Sequence, residues 1–84
     1  MALRFSADVS TAKTDYGTVL LDERGGEYWE LNPSATLVVG VLMSGGDESA
    51  AAAALVAEFD VDPEGAARDV AALVGELRAA GLAA

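Results

Sequence analysis

Up to Leu31 the hydrophobic positions recur every second residue; beyond it they fall three and four apart. Leu3, Phe5, Ala7 and Val9 alternate with Arg4, Ser6 and Asp8, which predicts a half-buried strand over residues 3–9. The polar run from Ser10 ends in Asp15-Tyr16-Gly17 and reads as a turn. A second β-rich run covers residues 17–23 and a third covers 27–31, with Arg24-Gly25-Gly26 between them. A Gly-Gly step between two such runs predicts a hairpin, because glycine reaches the positive φ that tight hairpin turns require. The expectation is three short antiparallel strands.

Past Leu31 the spacing becomes helical. Asn32-Pro33 is a start signal: the Asn side chain accepts hydrogen bonds from first-turn N–H groups, and Pro tolerates the first helical position. The helix predicted over 33–43 is apolar on nearly every side, which makes it the central, buried one. Gly40 in its middle costs about 1 kcal/mol relative to Ala and suits a site of close packing. Ser44-Gly45-Gly46 stops this helix, and Asp47 caps a second over 47–59, whose stripe is Ala51, Ala52, Leu55, Val56 and Phe59. Asp62-Pro63-Glu64 opens a third over 63–80, with Ala66, Ala67, Val70, Leu73, Val74 and Leu77 as its core face. Gly81 ends it and Leu82 is placed to pack back. The fold expected is α+β and winged helix-turn-helix-like: a three-stranded antiparallel sheet, then three α-helices, in one domain spanning residues 1–84.

Composition narrows the chemistry. The 84 residues include no Cys and no His, so disulfides, thiolate zinc sites, imidazole bases and Ser-His or Cys-His catalytic units are excluded. Carboxylates remain for acid–base or hard-metal work. Asp60 and Asp62 superficially resemble the start of a calcium loop, but the required Gly and the bidentate Glu are missing, and capping explains them better. The glycines match no phosphate-binding motif. No catalytic residue, metal ligand or cofactor is predicted, and the chain is expected not to be an enzyme. It lacks both a run of about 20 apolar residues and the form of a signal peptide, which predicts a cytoplasmic protein with no membrane partner.

Charge then decides between uses of the fold. The last two helices beside a hairpin would suit a winged-helix DNA binder. Yet residues 32–84 hold Arg68 and Arg78 against eight acidic side chains, while residues 1–31 hold three basic against six acidic. The half that would enter a groove is the more negative, whereas DNA affinity depends on neutralising phosphates. Nucleic acid is therefore not an expected partner. The acidic surface would instead suit a basic protein surface, in an association that weakens as salt rises.

Glu27-Tyr28-Trp29-Glu30-Leu31 stands apart because it holds the only Trp and ends the sheet. Trp29 and Leu31 can point into the core while Tyr28 and Glu30 face water. An open edge is nevertheless an aggregation hazard unless charged, covered or used. Either Glu27 and Glu30 blunt it, or a peptide adds to it as a further strand with its side chains in an apolar groove against the last helix. The residue pattern leaves both readings open.

Gly17-Thr18-Val19-Leu20-Leu21-Asp22 and Gly26-Glu27-Tyr28-Trp29-Glu30-Leu31-Asn32-Pro33 resemble the PqqD-like family. Further matches are Gly45-Gly46, Val61-Asp62-Pro63, Asp69-Val70-Ala71-Ala72-Leu73, Glu76-Leu77 and Gly81-Leu82, so the resemblance runs from about Leu3 to Leu82. It implies a recognition element for ribosomally made, modified peptides, which binds the leader of a precursor along its third strand and against its third helix. Carried onto this chain, it implies backbone pairing along Glu27, Tyr28, Trp29, Glu30 and Leu31. The groove walls would be Trp29 and Leu31 on the strand side and Val70, Leu73, Val74 and Leu77 on the helix, with Asp69 placed to meet a basic residue or orient the leader backbone. The Leu-Leu-Asp-Glu-Arg-Gly-Gly wording is similar to stand-alone members that serve lasso-peptide assembly beside a separate cysteine-type leader peptidase. The alternative is a leader chaperone for a radical-SAM enzyme.

Overall fold

Three side chains start the three helices. Asn32 accepts from the N–H of Ala35 at 2.8 Å and opens α1 (Pro33–Met43). Asp47 accepts from Ala50 at 2.8 Å and opens α2 (Glu48–Phe59). Asp62 accepts from Gly65 at 3.1 Å and opens α3 (Pro63–Ala79). Each cap satisfies a first-turn N–H that has no partner inside its helix. At the end of α3, Gly81 takes a φ of +76°, and the N–H of Leu82 donates to the carbonyl of Leu77 at 3.0 Å. This geometry folds Leu82 back into the core, where it is buried, as its spacing from Gly81 predicts. The computed structural model describes residues 3–84; Met1 and Ala2, the first residues of the expected domain, lie outside the described residues.

The sheet precedes the helices and has the order β1-β2-β3, antiparallel throughout, from β1 (Val9–Thr14), β2 (Gly17–Asp22) and β3 (Glu27–Leu31). The architecture is α+β, with three strands followed by three helices. Helix α1 packs on β2 and β3 and also on α2, and α2 packs on α3. Leu20 from the sheet, Val38, Val39 and Leu42 from α1, Leu55 from α2 and Val74 from α3 meet in the core. The apolar character of α1 therefore marks the central helix, as the sequence indicates. No helix among the described residues is long and apolar enough to cross a membrane.

Two expectations need correction. The first strand is not residues 3–9. The alternation there is real, but Leu3 drops into the core and Phe5 bridges Ala83. Arg4 and Ala84 exchange backbone hydrogen bonds of 3.2 and 2.8 Å, so this extended segment is tied to the end of the chain instead of to β2. The chain then turns at Ser6–Val9, and β1 takes the polar run that reads as a loop. Residues 11–14 are all exposed on β1. A strand without a buried face carries no hydrophobic alternation to betray it. The second correction concerns Gly40: a Cβ there would meet nothing within 4 Å, so no close packing requires the glycine.

Candidate peptide-binding edge and groove

Among the described residues the third strand pairs with β2 on one side only, which leaves its other edge free. Register sorts its side chains. Trp29 lies opposite Leu20 and Leu31 opposite Thr18, and these four turn toward the helices. Tyr28 lies opposite Leu21 and Glu30 opposite Val19 on the outer face, where Tyr28 is 62% exposed. Leu31 is buried, Trp29 is half-buried against the core, and Glu27 and Glu30 are exposed. The alternation expected for this strand is therefore the observed one.

On the helix side the sequence-derived groove divides in two. Val70, Val74 and Leu77 are core residues, 1–3% exposed, and with Ala66 they form one row along α3. They fix the position of the helix and offer no surface. Leu73 is half-buried and Asp69, one turn earlier, is exposed. These two occupy the neighbouring row and face outward beside the core, as residues four apart on a helix do. Of the four apolar α3 residues expected as groove wall, only Leu73 reaches a surface.

Asp69 and Leu73 line a hollow of about 510 Å³ that begins at Asn32, where β3 ends. Its other walls include Ala35 and Val38 of α1, Leu55 and Phe59 of α2, and Val61. Phe59 is 42% and Val61 38% exposed. Phe59 is expected in the core stripe of α2, and Val61 enters the expectations only through the Val61-Asp62-Pro63 match, with no place in the groove. Their exposure has a local cause: Asp60 adopts a left-handed conformation, φ +53°, which ends α2 and turns the chain into Val61 and the Asp62 cap. A hydrophobic residue between two capping aspartates was the available signal. Together the free edge, half-buried Trp29 and this apolar hollow can hold an extended chain by backbone hydrogen bonds and receive alternate side chains. Among the described residues, no three His, Cys, Asp or Glu side chains gather in a way that could hold a metal ion.

Comparison with known proteins sets this geometry in a family. No curated protein matches the chain. Among solved structures, one described as "Lasso peptide synthetase B1 complexed with the leader peptide" superimposes with a TM-score of 0.91 at 44% identity, covering 100% of this chain and 99% of that one. A second, "TbiB1 in Complex with the TbiA(beta) Leader Peptide", gives a TM-score of 0.87 at 26% identity, over 95% and 93% of the two chains. Residues 17–83 match the family described as coenzyme PQQ synthesis protein D, a stretch that holds β2, β3, all three helices and both sides of the groove. With that match over most of its length, the chain belongs to the PqqD family.

Proposed function

We propose that this protein is a non-catalytic adaptor that binds the leader of a ribosomally made precursor peptide and presents it to a separate cysteine-type leader peptidase in lasso-peptide assembly. The observation that carries the reading is the free β3 edge beside an apolar hollow, in a chain 44% identical to a lasso peptide synthetase B1 whose structure is described as complexed with the leader peptide. The leader adds as a strand along residues 27–31, and its inward side chains pack on Trp29, Leu73 and the hollow beyond. Asp69 sits at the rim of that hollow, where it meets a basic side chain or a backbone N–H of the leader. Holding the leader on a protein that also docks the peptidase raises the effective concentration of substrate at that enzyme.

The family description, coenzyme PQQ synthesis, favours a second reading in which the partner is a radical-SAM peptide-modifying enzyme. Both readings use the same edge and differ in the partner, and the lasso relative at 44% identity favours the first.

Leu73→Glu tests the groove. Leu73 is half-buried, so the variant keeps the core row intact and its circular dichroism should match the wild type. A charge in the apolar wall costs about 1–2 kcal/mol or more of binding, so affinity for a labelled cognate leader should fall roughly tenfold or further in fluorescence anisotropy. Unchanged affinity would remove the groove assignment.

A further inference from the structure

We infer that the free edge of β1 is a self-association site: at high protein concentration it pairs with the β3 edge of a second copy of this chain, and the leader displaces it. The competition with leader rests on the reading proposed above. The first observation is a second open edge. Among the described residues β1 pairs with β2 alone, and residues 11–14 are all exposed. An open edge of this kind pairs with other strands unless it is blocked. Beside it lies a hollow of about 720 Å³ between β1 and α1, whose lining includes Thr11, Lys13, Leu37, Val41 and Met43, and the leader site uses none of these. It stays open because α1 packs on β2 and β3.

The second observation is charge. Strand β1 carries Lys13 as its one charged side chain, whereas β3 carries Glu27 and Glu30 and no cation. Pairing β1 with β1, or β3 with β3, opposes like charges; pairing β1 with β3 of a second copy opposes unlike ones. The hollow beside β1 repeats the distinction. Lys13 is the one ionisable side chain lining it, while Glu48, Asp69 and Glu30 line three other hollows. The site therefore fits a strand that brings a carboxylate, and β3 is such a strand.

The third observation is register. The N–H of Glu23 donates to the carbonyl of Asp8 at 3.0 Å, so the even-numbered residues of β1 bond to β2, and Thr11 and Lys13 turn their N–H and C=O groups to the free edge. By the same alternation Tyr28 and Glu30 turn theirs to the free edge of β3. An antiparallel pairing with Tyr28 opposite Lys13 of the second copy matches these groups and joins all five residues of β3 to residues 10–14 of β1. Glu30 then stands diagonal to Lys13, within reach of its ammonium group. Opposite side chains share a face, so exposed Tyr28 enters the mouth of the hollow between β1 and α1, against Lys13. On the helix side of β3 the incoming strand offers only Ser10, Ala12 and Thr14, which leave the hollow at Asp69 and Leu73 unfilled. A leader with apolar side chains fills that hollow and wins the edge. One short edge between chains of net charge −9 is weak, with a dissociation constant on the order of 0.1–1 mM, so at micromolar concentration both edges are free. The contact is head-to-tail and continues past a dimer.

Sedimentation of the intact chain tests the pairing, with a cognate leader as competitor. Wild type should be close to monomeric at about 10 µM and reach about twice the monomer mass on average at about 1 mM, and saturating leader should return it to monomer. Lys13→Glu should lower association about tenfold or more, while leader affinity at micromolar concentration stays within about twofold of wild type. Glu30→Lys should also lose association, and an equimolar mixture of the two variants should regain it, because unlike charges then meet again. Wild type that binds no leader at micromolar concentration would overturn the leader reading, and the two variants and their mixture would still decide the edge pairing. Wild type that stays monomeric at about 1 mM, association that Lys13→Glu or bound leader leaves intact, or a mixture that stays monomeric would overturn the pairing of β1 with β3.

Discussion

Gly17 sets the position of the third strand. It opens β2 with a φ of +151°, and a Cβ there would overlap the carbonyl oxygen of Leu31, the last residue of β3. Ala at this position forces the end of β3 away from β2 and strains the backbone as well. Gly17→Ala should therefore destabilise the fold by about 1–3 kcal/mol, read as a lower urea midpoint. A midpoint equal to wild type would show that the close approach is unimportant. At this scale the sequence was partly legible. The capping residues Asn32, Asp47 and Asp62, and the helix stop at Gly81, announce themselves because their roles are local. Which α3 residues face the groove was not legible to the same degree. Val70 and Leu73 are both apolar and three apart, and their sidedness depends on where α2 and the sheet lie. The Ala66-Val70-Val74-Leu77 row is continuous and therefore the core row, while Leu73 follows Asp69 in a row that mixes charge with hydrophobicity.

At the scale of elements, strands and helices were unequally readable. The helices carry caps and stripes, and β2 and β3 carry alternation that reports a buried face. The first strand lies on the edge opposite β3 and is exposed over residues 11–14, so its sequence has no reason to alternate. Meanwhile the true alternation at Leu3 and Phe5 belongs to a segment held by the chain's own end, through Ala83 and Ala84, a pairing that no local pattern encodes. The central helix gives a prediction of its own. Since a Cβ on Gly40 meets nothing within 4 Å, its replacement carries the helix-propensity gain without a packing cost. Gly40→Ala should stabilise the fold by about 0.5–1 kcal/mol and raise Tm by roughly 3–6 °C in a calorimetric scan. A fall in Tm would mean that α1 needs the glycine for a contact that this packing lacks.

For the whole molecule, charge distinguishes among uses of one topology. Helices α2 and α3, joined through Asp60-Val61-Asp62 beside a strand hairpin, have the order of a DNA-binding winged helix, yet residues 32–84 carry eight acidic side chains against two arginines. Such a surface repels phosphates and suits peptide or protein partners, in keeping with the free β3 edge and the apolar hollow at its end. Strand addition makes a demand on the whole molecule that groove packing alone does not: it must protect the backbone of one edge and leave the opposite edge unchanged. The most direct test is amide hydrogen exchange across the intact chain, with and without saturating cognate leader. Strand addition predicts that amides within Glu27–Leu31 slow in an alternating pattern, since only every second N–H faces the free edge, while β1 from Val9 to Thr14 exchanges as before. Protection appearing along β1, or none at all in Glu27–Leu31 once leader is bound, would contradict it.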